Sequence, residues 1–217
     1  MTIPALSRDQ AITLAGGIAD KVFLLGIRGF NEPADENKRG IYDDAIFLIT
    51  PDICTGFNAN TDPSITRKGI AVLQPGTYQY KQGLHGIHHF DDIARALGKT
   101  KRDEVEQWLM ANPGKDPPQL NFPNGDRIIL PYWAYRQASP VTVLRDGAAT
   151  TETIADPAGW PWIDIHKGGY NTTSSEGCQT IHPDQWAEIR KKGYAAMNAA
   201  GLKTVNYILI NKPVDRG

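Results

Sequence analysis

The residues of this chain best placed for chemistry lie in one short stretch, Trp162 to Ile181. A run of strand-forming residues ends at His166, a loop of eleven mostly small and polar residues follows, and Ser175-Glu176-Gly177-Cys178 opens the next element. Cysteine attacks as its thiolate, and an imidazole within hydrogen-bond reach takes the proton and stabilises the anion. A strand end holds the histidine still, and a loop rich in Gly, Ser and Thr returns the chain so that sulfur meets ring. Gly177 permits a tight backbone turn, which aims amide N–H groups near Cys178 at a developing oxyanion. Taken singly, Cys178 reads as a small buried hydrophobe and His166 as a structural residue. Their combination at this spacing predicts nucleophilic catalysis.

A second cluster, His85, His88 and His89 with Asp91 and Asp92, is the competing candidate, a metal site and hence a metallopeptidase. His-x2-His-His fits zinc-ligand spacing only loosely, and the plainer expectation is loop residues at the edge of an insertion, with no metal and no cofactor. No Gly-rich loop followed by Lys-Ser or Lys-Thr is present, so nucleotide hydrolysis has no support.

The elements that must position the Cys178–His166 pair are mainly strands. Ser7 and Gln10 predict a capping box that starts a helix running from about Arg8 to about Leu25. Strand signals follow at Ala45 to Thr50, Gly69 to Gln74, Thr77 to Lys81, Arg127 to Leu130, Val141 to Arg145, Trp162 to His166 and Asn206 to Ile210. Pro75-Gly76 predicts a turn and Asp146-Gly147 a hairpin. A second helix runs from Pro183 to about Gly201, with Trp186, Ile189 and Met197 on its buried side. Two short helices are expected around Asp91 to Leu97 and Glu104 to Met110.

Composition narrows the class. The 217 residues carry 23 basic and 24 acidic side chains, and this balance lacks the basic footprint of non-specific nucleic-acid binding. Basic pairs such as Lys101-Arg102 and Lys191-Lys192 read as solvated helix faces. With 21 glycines and 15 prolines, an all-helical fold is not expected. Two cysteines exclude a disulfide-stapled scaffold. Met1 to Phe30 lacks the pattern of a signal peptide, and Asp20, Lys21 and Arg28 interrupt its apolar part, so neither export by a leader nor membrane insertion is expected.

His-x-Gly, a polar loop and then Ser-x-Gly-Cys resembles the signature of the L,D-transpeptidase catalytic domain, a β-sandwich acting on peptidoglycan stem peptides. The resemblance implies an α+β, mainly β fold with an N-terminal helix, a helix after the catalytic cysteine and a small helical insertion. It implies Cys178 as nucleophile, His166 as base, the Lys167-Gly168 backbone as the group orienting the ring, and the Gly177 and Cys178 amides as oxyanion donors. Lys167, Tyr170, Ser175, Glu176 and Gln179 then become substrate contacts, joined by Asn58 and Asn60 from the polar loop Asn58 to Ser64, whose plainer reading is a surface turn. Gly69 to Tyr78 resembles the family's proline-glycine hairpin. Where many members carry a second histidine two residues before the cysteine, this chain has Glu176, and Gln179-Thr180 replaces a basic or polar pair. These departures resemble members from phage lysis cassettes and toxic effectors. They imply synthesis in the cytoplasm, action in the periplasm or wall, and a delivery machinery or immunity protein as further partners.

Between His89 and Tyr132 the order "DIARALG…VEQWLMANPG…LNFPNGDRIILP" resembles a LysM peptidoglycan-binding module. The expected organisation is a catalytic domain from 1–89 and 132–217 with a glycan-binding insertion at 90–131. A plain two-helix insertion is the alternative for that segment. A wall-binding or virion structural protein that keeps the fold without activity is the alternative for the whole.

Overall fold

A computed structural model describes residues 2–18, 21–31, 38–85, 132–152 and 163–212, with 94, 98–100, 104, 107–108, 111, 120–121 and 127–128 between them. The chain divides into two compact units, one of Met1–Gln82 with Tyr135–Gly217, the other of Gly83–Ala134. Most of the expected helices at 91–97 and 104–110, together with His88, His89, Asp91, Asp92 and Trp162, lie outside the described residues.

The first unit is mainly β with two described helices, α1 (Arg8–Leu14) and α2 (Pro183–Ala199). Its strands begin with β1 (Phe23–Arg28), β2 (Asp44–Ile49), β3 (Cys54–Asn60), β4 (Val72–Leu73) and β5 (Gly76–His85), whose last three residues belong to the second unit. In the second unit β6 (Leu120–Asn121) pairs with β7 (Arg127–Ile128). The chain continues through β8 (Tyr132–Gln137), β9 (Val141–Arg145), β10 (Ala148–Glu152), β11 (Ile165–Lys167), β12 (Gln179–Ile181) and β13 (Thr204–Asn211). Eight strands close into a ring in the order β1-β13-β5-β8-β11-β12-β3-β2, and β10-β9-β4 form a separate sheet. Two neighbouring pairs in the ring, β1–β13 and β11–β12, run parallel. Among the described residues no helix is long and apolar enough to cross a membrane.

Local chemistry explains most boundaries. The capping box forms as expected: Gln10 N donates to Ser7 Oγ at 3.2 Å and Ser7 N to Gln10 Oε1 at 2.8 Å. The helix ends at Leu14, not Leu25, because Gly16 and Gly17 follow at φ +76° and +79° and break it. Val22, Phe23, Leu24, Leu25 and Ile27 then form and flank a strand buried on both faces, whose continuous apolar run imitates one side of a helix. Asp146 and Gly147 both take positive φ and join β9 to β10 in a two-residue hairpin. Pro75-Gly76 is not a hairpin: β4 pairs with β9 and β5 with β13, so the chain changes sheet there. Asn58 and Asn60 are not in a surface loop but are buried in β3, where polar residues obscure the strand pattern.

Two apolar layers flank the ring wall. On one, Ala11 and Ala15 at α1 pack with Phe23, Leu25, Ile27, Ala45, Phe47, Ile49 and Ile208. On the other, α2 buries Trp186, Ile189, Gly193 and Met197, and Tyr135 Oη donates to the Ile189 carbonyl at 3.1 Å. Each fully buried Leu, Ile or Phe contributes about 1.5–3 kcal/mol relative to exposure. The α2 layer packs against β3 and β11, the latter carrying His166 of the candidate site.

Candidate active site

The parallel ladder between β11 and β12 sets the geometry. Ile165 pairs with Gln179 and His166 with Thr180, so Cys178, which immediately precedes β12, falls level with Asp164, and His166 lies two residues further along the ladder. Asp164 brackets the cysteine: its N–H donates to Cys178 Sγ at 3.3 Å and its carbonyl accepts Gln179 N at 2.8 Å. The buried His166 ring lies with Nδ1 2.8 Å from the Lys167 carbonyl. A carbonyl only accepts, so Nδ1 carries the proton and Nε2 is left as the basic nitrogen.

The turn before the cysteine is held by side-chain hydroxyls. Ser175 Oγ accepts Gly177 N at 3.0 Å and donates to the Cys178 carbonyl at 2.6 Å. Gly177 has φ +142°, and a Cβ there would lie 3.0 Å from both Cβ and O of Ala71. The loop is stitched to the segment after β3: Ser64 N donates to Ser175 O at 2.8 Å, and Ser175 N returns to Ser64 Oγ at 2.6 Å. Thr173 Oγ1 lies 2.6 Å from Ser64 Oγ and accepts Asn60 Nδ2 at 2.6 Å. Gly168 has no room for a side chain, since a Cβ would overlap the Tyr42 hydroxyl, which donates to the Gly169 carbonyl at 2.7 Å.

Electrostatics keep the sulfur protonated at rest. Burial, with the Asp164 carboxylate adding to it, pushes the Cys178 thiol up to about 12; the Asp164 N–H and Arg136 pull the other way, and Glu176 adds a smaller rise. Burial also raises Cys54, the second free cysteine. A resting thiolate, the species that alkylates readily at neutral pH, is therefore not what this environment favours.

The predicted site residues divide by exposure. Tyr170 is 73 % exposed, donates from its hydroxyl to Asp184 Oδ1 at 2.6 Å and meets the His182 ring edge-on at 6.0 Å. Glu176 is also open to solvent and pairs with Arg67 at 2.8 Å. Ser175, Gln179, Asn58 and Asn60 are buried. Gln179 Nε2 donates to the Gly177 carbonyl at 3.3 Å and its Oε1 accepts the Tyr207 hydroxyl at 3.2 Å. Asn60 is spent on Asp62 and Thr173, and Asn58 N donates to Gln185 Oε1 at 2.7 Å. Ser175, Gln179 and Asn60 brace the loop, while the Asn58 backbone holds the start of α2. The Gly177 N–H is engaged by Ser175, so in this conformation it does not offer the expected oxyanion donor.

No family model matches the chain, and comparison with curated proteins and with solved structures gives no match either.

Sequence reasoning missed Asp164, Arg136, Tyr42 and Arg67, and reached Ser64 only as the end of the polar loop Asn58 to Ser64. Asp164 had a local signal, two residues before His166 on a strand and so on the same face. The others reach the site from distant segments and have none. His85, the described member of the competing cluster, ends β5 with its ring 5.5 Å from that of Tyr132. Among the described residues no three His, Cys, Asp or Glu are grouped to hold a metal ion.

Proposed function

We propose that this chain is a cysteine-dependent acyl-transfer enzyme acting on peptidoglycan stem peptides, of L,D-transpeptidase or L,D-carboxypeptidase type. The observation that carries the reading is the β11–β12 pairing, which sets Cys178, at the entry to β12, two register positions from His166 on β11, with the imidazole already oriented through Nδ1. In this reading the eight-stranded ring and the three-stranded sheet are the layers of an L,D-transpeptidase-like sandwich. The insertion at 90–131 retains the enzyme on glycan, and the protein works in the periplasm or wall after delivery.

The chemistry follows from a buried thiol and an imidazole whose Nε2 can accept a proton when Nδ1 donates to the Lys167 carbonyl. Sγ attacks the carbonyl of the third stem residue while its proton passes to His166 Nε2, so the imidazole is needed at the moment of attack. His166 then returns that proton to the departing amine, leaving a thioester on Cys178. Water or the amine of a second stem peptide cleaves the thioester, regenerating the thiol. Tyr170 and the Arg67–Glu176 pair, the exposed groups beside the turn, meet the peptide.

Mass spectrometry of purified muropeptides incubated with the full chain tests the reading. Wild type and Cys54→Ala are expected to yield stem peptides shortened by the terminal residue, cross-linked dimers, or both. Cys178→Ala is expected to lose turnover by about 10³-fold or more. Turnover that survives in Cys178→Ala, or its absence from the folded wild type, refutes it.

A further inference from the structure

A buried ion pair stands directly behind the candidate nucleophile. Asp164 is fully buried, and its Oδ2 pairs with Arg136 Nη1. Its Oδ1 accepts Gln137 N at 3.2 Å, and Gln137 Oε1 accepts Ile163 N at 3.1 Å. Two consecutive residues of β8 thus clamp two consecutive residues leading into β11. The clamped residue presents the N–H that Cys178 Sγ accepts at 3.3 Å. Burying a carboxylate and a guanidinium costs several kcal/mol per ion before their attraction is counted, so stability alone is a weak reason for such a pair.

We propose that Asp164 and Arg136 are positioning residues that set the reactivity of the Cys178 sulfur. The guanidinium fixes the carboxylate, and the carboxylate fixes the strand segment whose N–H meets the sulfur. The proposal rests on reading Cys178 as the nucleophile. The charged and titratable groups about the thiol include, among the described residues, Asp164 just before β11, His166 on β11, Arg136 on β8, Tyr80 on β5 and Glu176 in its own loop. Of these, the ion pair holds two opposite charges whose effects on a thiolate have opposite sign: the carboxylate opposes proton loss and the guanidinium favours it. Removing one member must therefore move the sulfur in the direction set by the other.

The test is the pH profile of Cys178 alkylation by iodoacetamide on the full chain, resolved by peptide mass spectrometry with Cys54 as internal reference. Asp164→Asn is expected to accelerate Cys178 labelling about tenfold at pH 8, with the profile displaced toward lower pH. Arg136→Gln is expected to slow it several-fold. The double variant is expected to return within about threefold of wild type, since the charges cancel. Changes of the same sign in both single variants would mean that the pair only holds the fold closed, and would overturn the proposal; unchanged rates would do the same. Should Arg136→Gln fail to fold, Asp164→Asn decides alone, by acceleration or its absence. Labelling needs no turnover, so the two readings separate. A muropeptide-active enzyme whose labelling ignores Asp164→Asn sinks the pair alone, whereas opposite-signed labelling shifts without turnover sink the enzyme alone.

Discussion

Gly177→Ala is the sharpest probe of the turn that carries the nucleophile. At φ +142° an L side chain is strained, and holding alanine there costs about 1–3 kcal/mol. The new Cβ also lies 3.0 Å from the Ala71 Cβ and from the Ala71 carbonyl oxygen, and 3.2 Å from Ile163 Cδ1. Two of these neighbours are held by backbone, and overpacking of this kind costs about 1–3 kcal/mol more. The expected loss is about 2–6 kcal/mol, a large share of the stability of a typical domain. Urea unfolding followed by tryptophan fluorescence measures it, with Trp186 on α2 reporting the first unit. Adding Ala71→Gly removes one contact but leaves the strain and the carbonyl, so the double variant is expected to recover about 1 kcal/mol and no more. A loss below about 0.5 kcal/mol for Gly177→Ala would refute the argument. Full recovery in the double variant would refute its backbone half.

Asp44, fully buried, is pushed up to about 7 by burial, opposed by the Gly29 and Thr61 N–H groups and reinforced by Asp43 and Asp62. A raised folded-state value gives stability that is complete below about pH 4 and lost as pH rises through 7, at up to about 1.4 kcal/mol per unit. The urea midpoint of wild type relative to Asp44→Asn is expected to fall from pH 5 to pH 7 and then level off, and a pH-independent difference would contradict this. Gly193→Ala puts a Cβ into the Tyr135 hydroxyl and lifts α2 from the sheet, with an expected loss of about 1–3 kcal/mol despite alanine's better helix propensity. Tyr135→Phe in the same chain should restore part of it, and a double variant no more stable than Gly193→Ala counts against that contact.

What was legible in the sequence was what chain-local chemistry determines. The capping box, the Asp146-Gly147 hairpin and the buried side of α2 were all readable from residues within a turn of one another. The loop between His166 and Cys178 announced a return to a neighbouring strand through its small residues. The first strand was illegible because an apolar run buried on both faces carries no period of two. Asn58 and Asn60 looked like a loop because their amides and backbone serve a hydrogen-bond network that only the fold assembles. The Asp164–Arg136 pair spans 28 residues, and nothing in either local pattern points to the other.

The seam between the Ser64 segment and the loop before Cys178 means that the nucleophile's turn has no independent existence. Its donors and acceptors are reciprocated across 111 positions of chain. A graft of 163–182 alone onto another scaffold would carry the histidine, the cysteine and the glycine, yet leave the hydroxyl of Thr173 and the amide of Ser175 without their counterparts. The smallest portable unit contains both segments, 60–64 and 163–182, together with the Arg136-Gln137 clamp of β8 behind Asp164. A breakpoint in recombination or circular permutation anywhere between them is tolerable only if all three are inherited together.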